Sequence, residues 1–319
     1  MTQAILLVGG KGTRLLPLTR SVPKPMLPIA GLPVTEHQLL KAKAAGITSI
    51  VLATSYLADV FIPYFGDGSK WGLELQYAVE TEPLGTGGAI ANAASKLSGD
   101  EPIVIFNGDV LSSHNLSAQI KLHQEREADV TLHLTHVPDA RAFGCVPLDA
   151  DGRVTAFLEK MENPVTNTIN AGCYIFNPTI INQIPRDTVV SIEREIFPEL
   201  VKKGKNVFGI IDDAYWLDIG TPAALLQGSR DAVLGKGVDF LVMEGCSIDV
   251  TAHLSSGSAM GRGVVVGARA RIDGSIVSDV AQIQDDAVVT GSFIAQGAVV
   301  EKNAQIHDSY VAKDGIFPL

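Results

Sequence analysis

Gly257-Ser258-Ala259-Met260, Gly274-Ser275-Ile276-Val277, Gly291-Ser292-Phe293-Ile294 and Asp308-Ser309-Tyr310-Val311 follow one another at a fixed interval of 17 residues. Within that frame apolar residues recur in threes, Met260, Val266 and Ile272, then Val277, Ile283 and Val289, then Ile294, Val300 and Ile306, with Val311 opening the next set. The spacing of 6, 6 and 5 fits a coil with three short faces, each turning one apolar residue inward. A single coil cannot bury those residues, whereas stacked coils bury them as continuous columns. A β-sandwich has no reason to hold a fixed register through successive copies. The pattern therefore predicts a left-handed parallel β-helix of hexapeptide type, with roughly three coils. Gly315-Ile316-Phe317-Pro318-Leu319 follows the last copy. An exposed solenoid end is adhesive, so this segment is expected to cap the helix or to join a partner subunit.

Upstream the texture differs. Apolar runs at Ala4–Val8, Ser49–Ala53, Leu73–Val79, Ile103–Phe106 and Val130–Thr135 read as strands, and Thr35–Ala45 and Leu116–Glu127 have helical spacing between them. That alternation predicts an α/β architecture, a Rossmann-like domain with a mixed, mostly parallel sheet and helices on its faces. Hairpin-like segments follow at Gly144–Val146, Val154–Glu159 and Ala171–Phe176. The change of texture places one domain at 1–233 and a linker with the β-helix at 234–319.

With 319 residues, 46% of them hydrophobic and 19% charged, the chain can build two cores and is not of disordered composition. A formal charge of −10 argues against a general nucleic-acid or membrane-surface binder, which presents a basic face. No apolar run reaches the ~18 residues of a membrane span, and the opening residues lack the basic start of a secretory signal. Cys145, Cys173 and Cys246 are scattered, without a CxxC pair, so neither a disulfide framework nor a zinc site is expected. These features predict a soluble, cytoplasmic, reduced protein.

The first strand runs into Gly9-Gly10-Lys11-Gly12-Thr13-Arg14-Leu15-Leu16-Pro17-Leu18-Thr19. Glycines after a strand let backbone N–H groups approach a phosphate with no Cβ in the way. Thr13 adds a hydroxyl, and Arg14 a planar fork suited to phosphate oxygens. The spacing is neither GxxxxGK[ST] nor GxGxxG. Pro23-Lys24-Pro25 follows, where two prolines fix the backbone around an ammonium. Alone, each segment is also compatible with an ordinary surface turn.

Taken together, these residues resemble the signature of the sugar-1-phosphate nucleotidylyltransferases. The likeness extends along the chain. Glu82-Pro83-Leu84-Gly85-Thr86-Gly87-Gly88-Ala89 resembles that family's base-binding loop, and Asn107-Gly108-Asp109 its metal motif. Glu159-Lys160, Asn170-Ala171-Gly172 and Trp216-Leu217-Asp218-Ile219-Gly220-Thr221-Pro222 resemble its sugar-phosphate, sugar and second metal motifs. A β-helix after the catalytic domain is also common there. The resemblance is nearest to actinobacterial members that use GTP and mannose-1-phosphate. Two departures stand out: Leu16 where many members carry arginine, and Met161 where proline is frequent.

The resemblance implies attack by a sugar-1-phosphate oxygen on the α-phosphorus of a nucleoside triphosphate, with pyrophosphate leaving in line. Arg14, Lys24, Asp109 and Asp218 are then the catalytic set, with Mg²⁺ held by Asp109 and Asp218. Hard carboxylate and phosphate oxygens suit that ion, and few protein ligands are needed. Gly9, Gly10, Gly12, Thr13, Arg14, Glu80, Gly85, Thr86 and Gly87 would bind the nucleotide. Gly144, Glu159, Lys160, Asn170 and Gly172 would bind the sugar phosphate. The bland readings are a turn carboxylate for Asp109, a helix cap for Asp218 and a solvated pair for Glu159-Lys160. A homo-oligomer, as small as a dimer, is expected through the β-helix. Phe293, Tyr310 and Phe317 are candidates for that contact or for covering their own subunit.

The base is read at Glu80, or at Glu82. Thymidylyl- and uridylyltransferases often have glutamine at position 80. Guanine presents two adjacent donors, N1–H and the 2-amino group, and a carboxylate matches two donors while repelling carbonyl oxygens. Position 80 thus favours guanine. The alternatives are a glucose-1-phosphate thymidylyl- or uridylyltransferase and a non-catalytic sugar-nucleotide-binding regulatory subunit. No spacing rule identifies the sugar epimer.

Overall fold

A computed structural model describes residues 2–10, 12–20, 22–54 and 58–319. Lys11, inside the glycine-rich stretch, lies outside the described residues. By packing the chain divides into two compact units, one of residues 1–10 and 38–216 and one of residues 11–37 and 217–319. This grouping follows contacts, whereas the break near residue 234 follows sequence texture. The segment after the first strand groups with the C-terminal coils.

The first unit is built on a nine-stranded sheet. Its strands are β1 (Gln3–Leu7), β2 (Ser49–Thr54), β3 (Glu74–Val79), β4 (Ile103–Asn107), β5 (Val130–His136), β6 (Gly144–Cys145), β7 (Leu158–Glu159), β8 (Thr168–Phe176) and β9 (Val207–Ile211). The main path runs β7-β6-β8-β4-β1-β2-β3, with β5 pairing β8 and β9 pairing β5. β3, β2, β1 and β4 are parallel neighbours, and β8 runs antiparallel to β4 and β5. Parallel strands covered on both faces need near-continuous apolar runs, and Ala4-Ile5-Leu6 and Val104-Ile105-Phe106 are buried throughout. Helices α1 (Val34–Ala44), α2 (Ala58–Phe65), α3 (Gly85–Ala94) and α4 (Leu116–Glu125) make the connections. After β1 the chain adds β2 and β3 on one side, then returns to place β4 on the other. That reversal is a topological switch point, where open α/β sheets form a crevice beyond the strand ends.

In the second unit the coils stack in register. Met260, Val277, Ile294 and Val311 form one column of aligned partners. Val266, Ile283 and Val300 form a second, and Ile272, Val289 and Ile306 a third. All are buried. The stack begins one coil earlier than the 17-residue repeat marks. Val242, Ile248 and Leu254 pair with Met260, Val266 and Ile272, one residue out of the later step. Gly315–Pro318 folds back antiparallel on Ser309–Ala312. Phe293 and Tyr310 are buried within their own chain, with Tyr310 also facing the Phe317 ring.

Ser258, Ser275, Ser292 and Ser309 form a ladder along one corner of the coils. The hydroxyls of Ser258, Ser275 and Ser292 accept the N–H of the serine one coil later at 3.3, 3.0 and 3.1 Å. The Ser275 hydroxyl in turn donates to the Asp273 carbonyl at 2.8 Å. A buried N–H left without a partner costs about 1–3 kcal/mol. Ser275→Ala should therefore lower stability by about that amount, read by thermal or denaturant unfolding. An unchanged midpoint would mean that the ladder contributes nothing.

Candidate active site

The switch point gathers the first group of residues named from sequence. Gly9 and Gly10 leave the end of β1 exposed, and Gly10 has φ +108°. Asn107-Gly108-Asp109 leaves the neighbouring end of β4. The Gly108 N–H donates to the Leu7 carbonyl at 2.9 Å, and a Cβ on Gly108 would stand 2.2 Å from that oxygen. Only glycine lets the two strand ends lie this close, and the following residue is Asp109. Two β-strand ends thus present their next residues at one edge.

Glu80 follows β3 at the same edge. One carboxylate oxygen accepts the Leu84 N–H at 3.3 Å, and the other is buried without a partner. Burial pushes the carboxyl above its ordinary range, with the Leu84 N–H acting against that shift. Glu82 is exposed. Of the segment that resembles a base-binding loop, Glu82, Pro83 and Leu84 precede α3 and Gly85 to Ala89 begin it. Its glycines have a packing reason. A Cβ at Gly85 would stand 2.6 Å from the Val190 carbonyl, and one at Gly88 2.6 Å from that of Thr188. Gly87 N–H donates to the Val190 carbonyl at 2.8 Å. The Thr86 hydroxyl donates to Glu193 at 2.7 Å and accepts the Ile192 N–H at 2.9 Å.

Strand β8 carries a bulge between Asn170 and Tyr174 in its pairing with β5. Gly172 sits in the bulge at φ +78°, where a Cβ would press on Asn107 and Val110 at 3.1 Å. The Asn170 amide donates to the Tyr174 hydroxyl at 2.9 Å, and its oxygen accepts the Gly172 N–H at 3.1 Å. The Asn107 Oδ1 is buried and unpartnered. Glu159 pairs across the sheet with Gly144, and a Cβ on Gly144 would stand 2.9 Å from its carboxylate. Burial raises the Glu159 carboxyl, opposed by Lys160, whose Nζ is 3.6 Å away. Lys160 holds a left-handed backbone, φ +53°, uncommon for a residue with a side chain and frequent at functional positions.

The second unit carries the other group. Gly12, at φ +58°, lies against Thr19 and Lys24, and its carbonyl accepts the Thr19 hydroxyl at 2.9 Å. Leu15 and Leu18 are buried anchors, while Thr13 and Arg14 face solvent. Leu16, at the departure from the arginine pattern, is 53% exposed. Lys24 opens a short turn between buried Pro23 and Pro25, and the Thr35 hydroxyl donates to the Pro25 carbonyl at 2.9 Å. Arg14 stands 3.9 Å from the Asp218 carboxylate. A Cβ on Gly220 would stand 2.7 Å from the Arg14 guanidinium, so glycine there admits the arginine. Asp218 does not cap the following helix α5 (Pro222–Leu234); Thr221 does, accepting the Ala224 N–H at 3.2 Å.

Asp109 and Asp218 offer hard oxygen donors of the kind a divalent cation takes. Among the described residues no group of three or more His, Cys, Asp or Glu side chains is built to hold a metal. Each carboxylate by itself has the hard-oxygen chemistry that suits a divalent ion ligated also by phosphate oxygens and water.

Sequence reasoning missed the polar network behind Asp109. Gln38 and Lys41 of α1 reach the segment after β4, and Lys41 donates to the Ser112 carbonyl and to His114 Nδ1, each at 2.7 Å. His114 stacks on His133 with ring centroids 3.7 Å apart. Desolvation pushes Lys41 down to about 8, His114 to about 2 and His133 to about 4. Single polar residues on helices leave no sequence signal, because only the fold gives them a partner. Glu193, which holds Thr86, was missed for the same reason.

The nucleotidyl transferase family model matches residues 3–233, and the chain belongs to that family. A mannose-1-phosphate guanylyltransferase of Mycobacterium tuberculosis is 48% identical over 90% of this chain and 82% of its own length. A probable mannose-1-phosphate guanylyltransferase 3 of Oryza sativa is 34% identical over 91% of this chain and 81% of its own. Among solved structures, HddC from Yersinia pseudotuberculosis complexed with GMP-PN has a TM-score of 0.62 at 28% identity, covering 73% of this chain and 100% of that one. A putative glucose-1-phosphate thymidylyltransferase from Bacillus anthracis has a TM-score of 0.67 at 21% identity, covering 75% and 97%, and shares the fold. No helix of the described residues is long and apolar enough to cross a membrane.

His123 of α4 is also buried, with Nδ1 2.9 Å from the Thr131 hydroxyl, and desolvation lowers it from 6.5 to about 4. Between those values the unfolded chain binds the proton and the folded chain does not, so stability falls as the pH drops from 6.5 toward 4. His123→Leu should flatten the acid limb of the stability curve by up to about 1.4 kcal/mol per pH unit, read from unfolding at several pH values. An unaltered slope would mean that His123 titrates normally.

Proposed function

We propose that this chain is a mannose-1-phosphate guanylyltransferase, joining GTP and mannose-1-phosphate into GDP-mannose and pyrophosphate. The observation that carries the reading is the 48% identity to the mycobacterial guanylyltransferase over 90% of the chain. A phosphate oxygen of the sugar-1-phosphate attacks the α-phosphorus of GTP. The bond to the bridging α–β oxygen breaks, and pyrophosphate leaves in line. The protein's work in such a transfer is positioning and neutralising charge.

In this reading the backbone at Gly9, Gly10 and Gly12, with Thr13, receives the triphosphate. Arg14 and Lys24 offset its charge. Asp109 and Asp218 hold Mg²⁺, which when bound neutralises phosphate charge. Lys160 meets the sugar phosphate, while Glu159 and Asn170 accept and donate hydrogen bonds to sugar hydroxyls beside Gly144 and Gly172. The turn at Gly85, Thr86 and Gly87 holds the chain beside the base. Glu80 reads guanine. Its shielded, unpartnered oxygen gains a donor from guanine, and a pyrimidine carbonyl there faces repulsion.

Pyrophosphate release should be measured with Mg²⁺ and GTP, ATP, UTP, dTTP or CTP, each with mannose-1-phosphate or glucose-1-phosphate. GTP with mannose-1-phosphate should dominate. A preference for UTP or dTTP would overturn the base assignment and leave the reaction class standing. Glu80→Gln should lower the kcat/KM for GTP relative to UTP by about 10-fold or more. An unchanged ratio would remove Glu80 from base selection.

A further inference from the structure

The turn that carries Asp109 is held from behind by one side chain. Gln38, 6% exposed in α1, directs its amide Nε2 to the Asn107 carbonyl at 3.0 Å and to the Val110 carbonyl at 2.5 Å. These two carbonyls flank Gly108 and Asp109 on either side. The front of the turn is fixed separately, by the Gly108 N–H on the Leu7 carbonyl. Lys41, three residues along and on the same face of α1, holds the continuation of the segment at the Ser112 carbonyl. The backbone on either side of Asp109 is thus held between β1 and α1.

We propose that Gln38 is a positioning residue for Asp109, setting the backbone direction from which that carboxylate would reach a metal ion. The proposal rests on the reading of Asp109 as a metal-holding residue. The physical reason is angular. A single amide donating to both ends of a four-residue turn fixes the separation of those ends, and hence the direction of the Cα–Cβ bond of Asp109 between them. An apolar side chain of similar length fills the same space but withdraws the amide that both carbonyls accept, and the turn relaxes. Groups that orient a metal's ligands typically change affinity or activity by about 10–100-fold when removed.

Gln38→Met tests this in the full-length protein, with Asp109→Asn and Thr131→Val alongside. Thr131→Val removes the buried partner of His123, away from the Asp109 turn, and serves as a control for lost stability. The readouts are kcat and KM for each substrate, the free Mg²⁺ at half-maximal rate, and Mn²⁺ bound in the presence of GTP by electron paramagnetic resonance. In Gln38→Met, kcat should fall about 10-fold or more and Mn²⁺ should bind about 10-fold more weakly. The KM for mannose-1-phosphate should stay within about twofold. Thr131→Val, at comparable unfolding temperature, should keep both kcat and metal affinity. Gln38→Glu keeps the shape of the side chain. Its activity relative to wild type should rise as the pH is lowered and the carboxyl regains a proton to donate, which a variant that is merely unstable would not show. Gln38→Met with unchanged kcat and Mn²⁺ affinity, while Asp109→Asn loses both, would overturn the role of Gln38. Equal losses in Thr131→Val would also overturn it, in favour of a purely structural part. Full metal affinity and turnover in Asp109→Asn would instead overturn the reading of Asp109, and the proposal with it.

Discussion

The contact between the Gly108 N–H and the Leu7 carbonyl, at 2.9 Å, is the constraint on which the edge of the candidate site depends. It joins the ends of two parallel strands where the sheet changes direction. The approach is so close that a Cβ at Gly108 would stand 2.2 Å from the carbonyl oxygen. The residues that follow β1 and β4 must therefore leave from one edge of the sheet. The glycine-rich stretch follows one and Asp109 the other. Gly172, pressed against Asn107 from the bulged strand β8, extends the same close packing to the side where Asn170 lies.

The β-helix solves a different problem with the same chemistry. Its strands are two to four residues long, too short for any one pair to be stable by itself. Stability comes from the three apolar columns and from backbone pairing repeated at each coil. The buried serine ladder supplies partners at the corner where the backbone turns. This unit also includes residues 12–20 and 22–37 and Asp218. The phosphate-facing candidates Gly12, Thr13, Arg14 and Lys24 thus belong to the body that contains the coils, and the Glu80 and Asp109 candidates to the other.

Much of the site has direct structural causes for its residue types. Gly12, Gly108, Gly144, Gly172 and Gly220 each admit a neighbouring group that a side chain would displace. Gly85 and Gly88 are glycine because the Val190 and Thr188 carbonyls approach the start of α3. That distinction matters when a glycine motif is read as a ligand cradle. The same residue type serves close packing of backbone on backbone and close approach of backbone to phosphate. Only the neighbours distinguish them.

The sequence by itself determined the features written in local period and in contiguous motifs. The 17-residue spacing placed Met260, Val277, Ile294 and Val311 in one column, because a solenoid repeats its contacts at the repeat of the chain. Apolar runs located the central strands, and the glycine and Pro-Lys-Pro segments located the family resemblance. It did not reveal the first coil, whose step is one residue longer, or that Gly85–Ala94 is helical despite three glycines. Nor did it reveal Gln38 behind Asp109 or Glu193 behind Thr86. The bonds from Gln38 to Asn107 and Val110 join residues 69 and 72 apart, and that from Thr86 to Glu193 residues 107 apart. A hydrogen bond between distant residues has no period, so only the tertiary structure decides it.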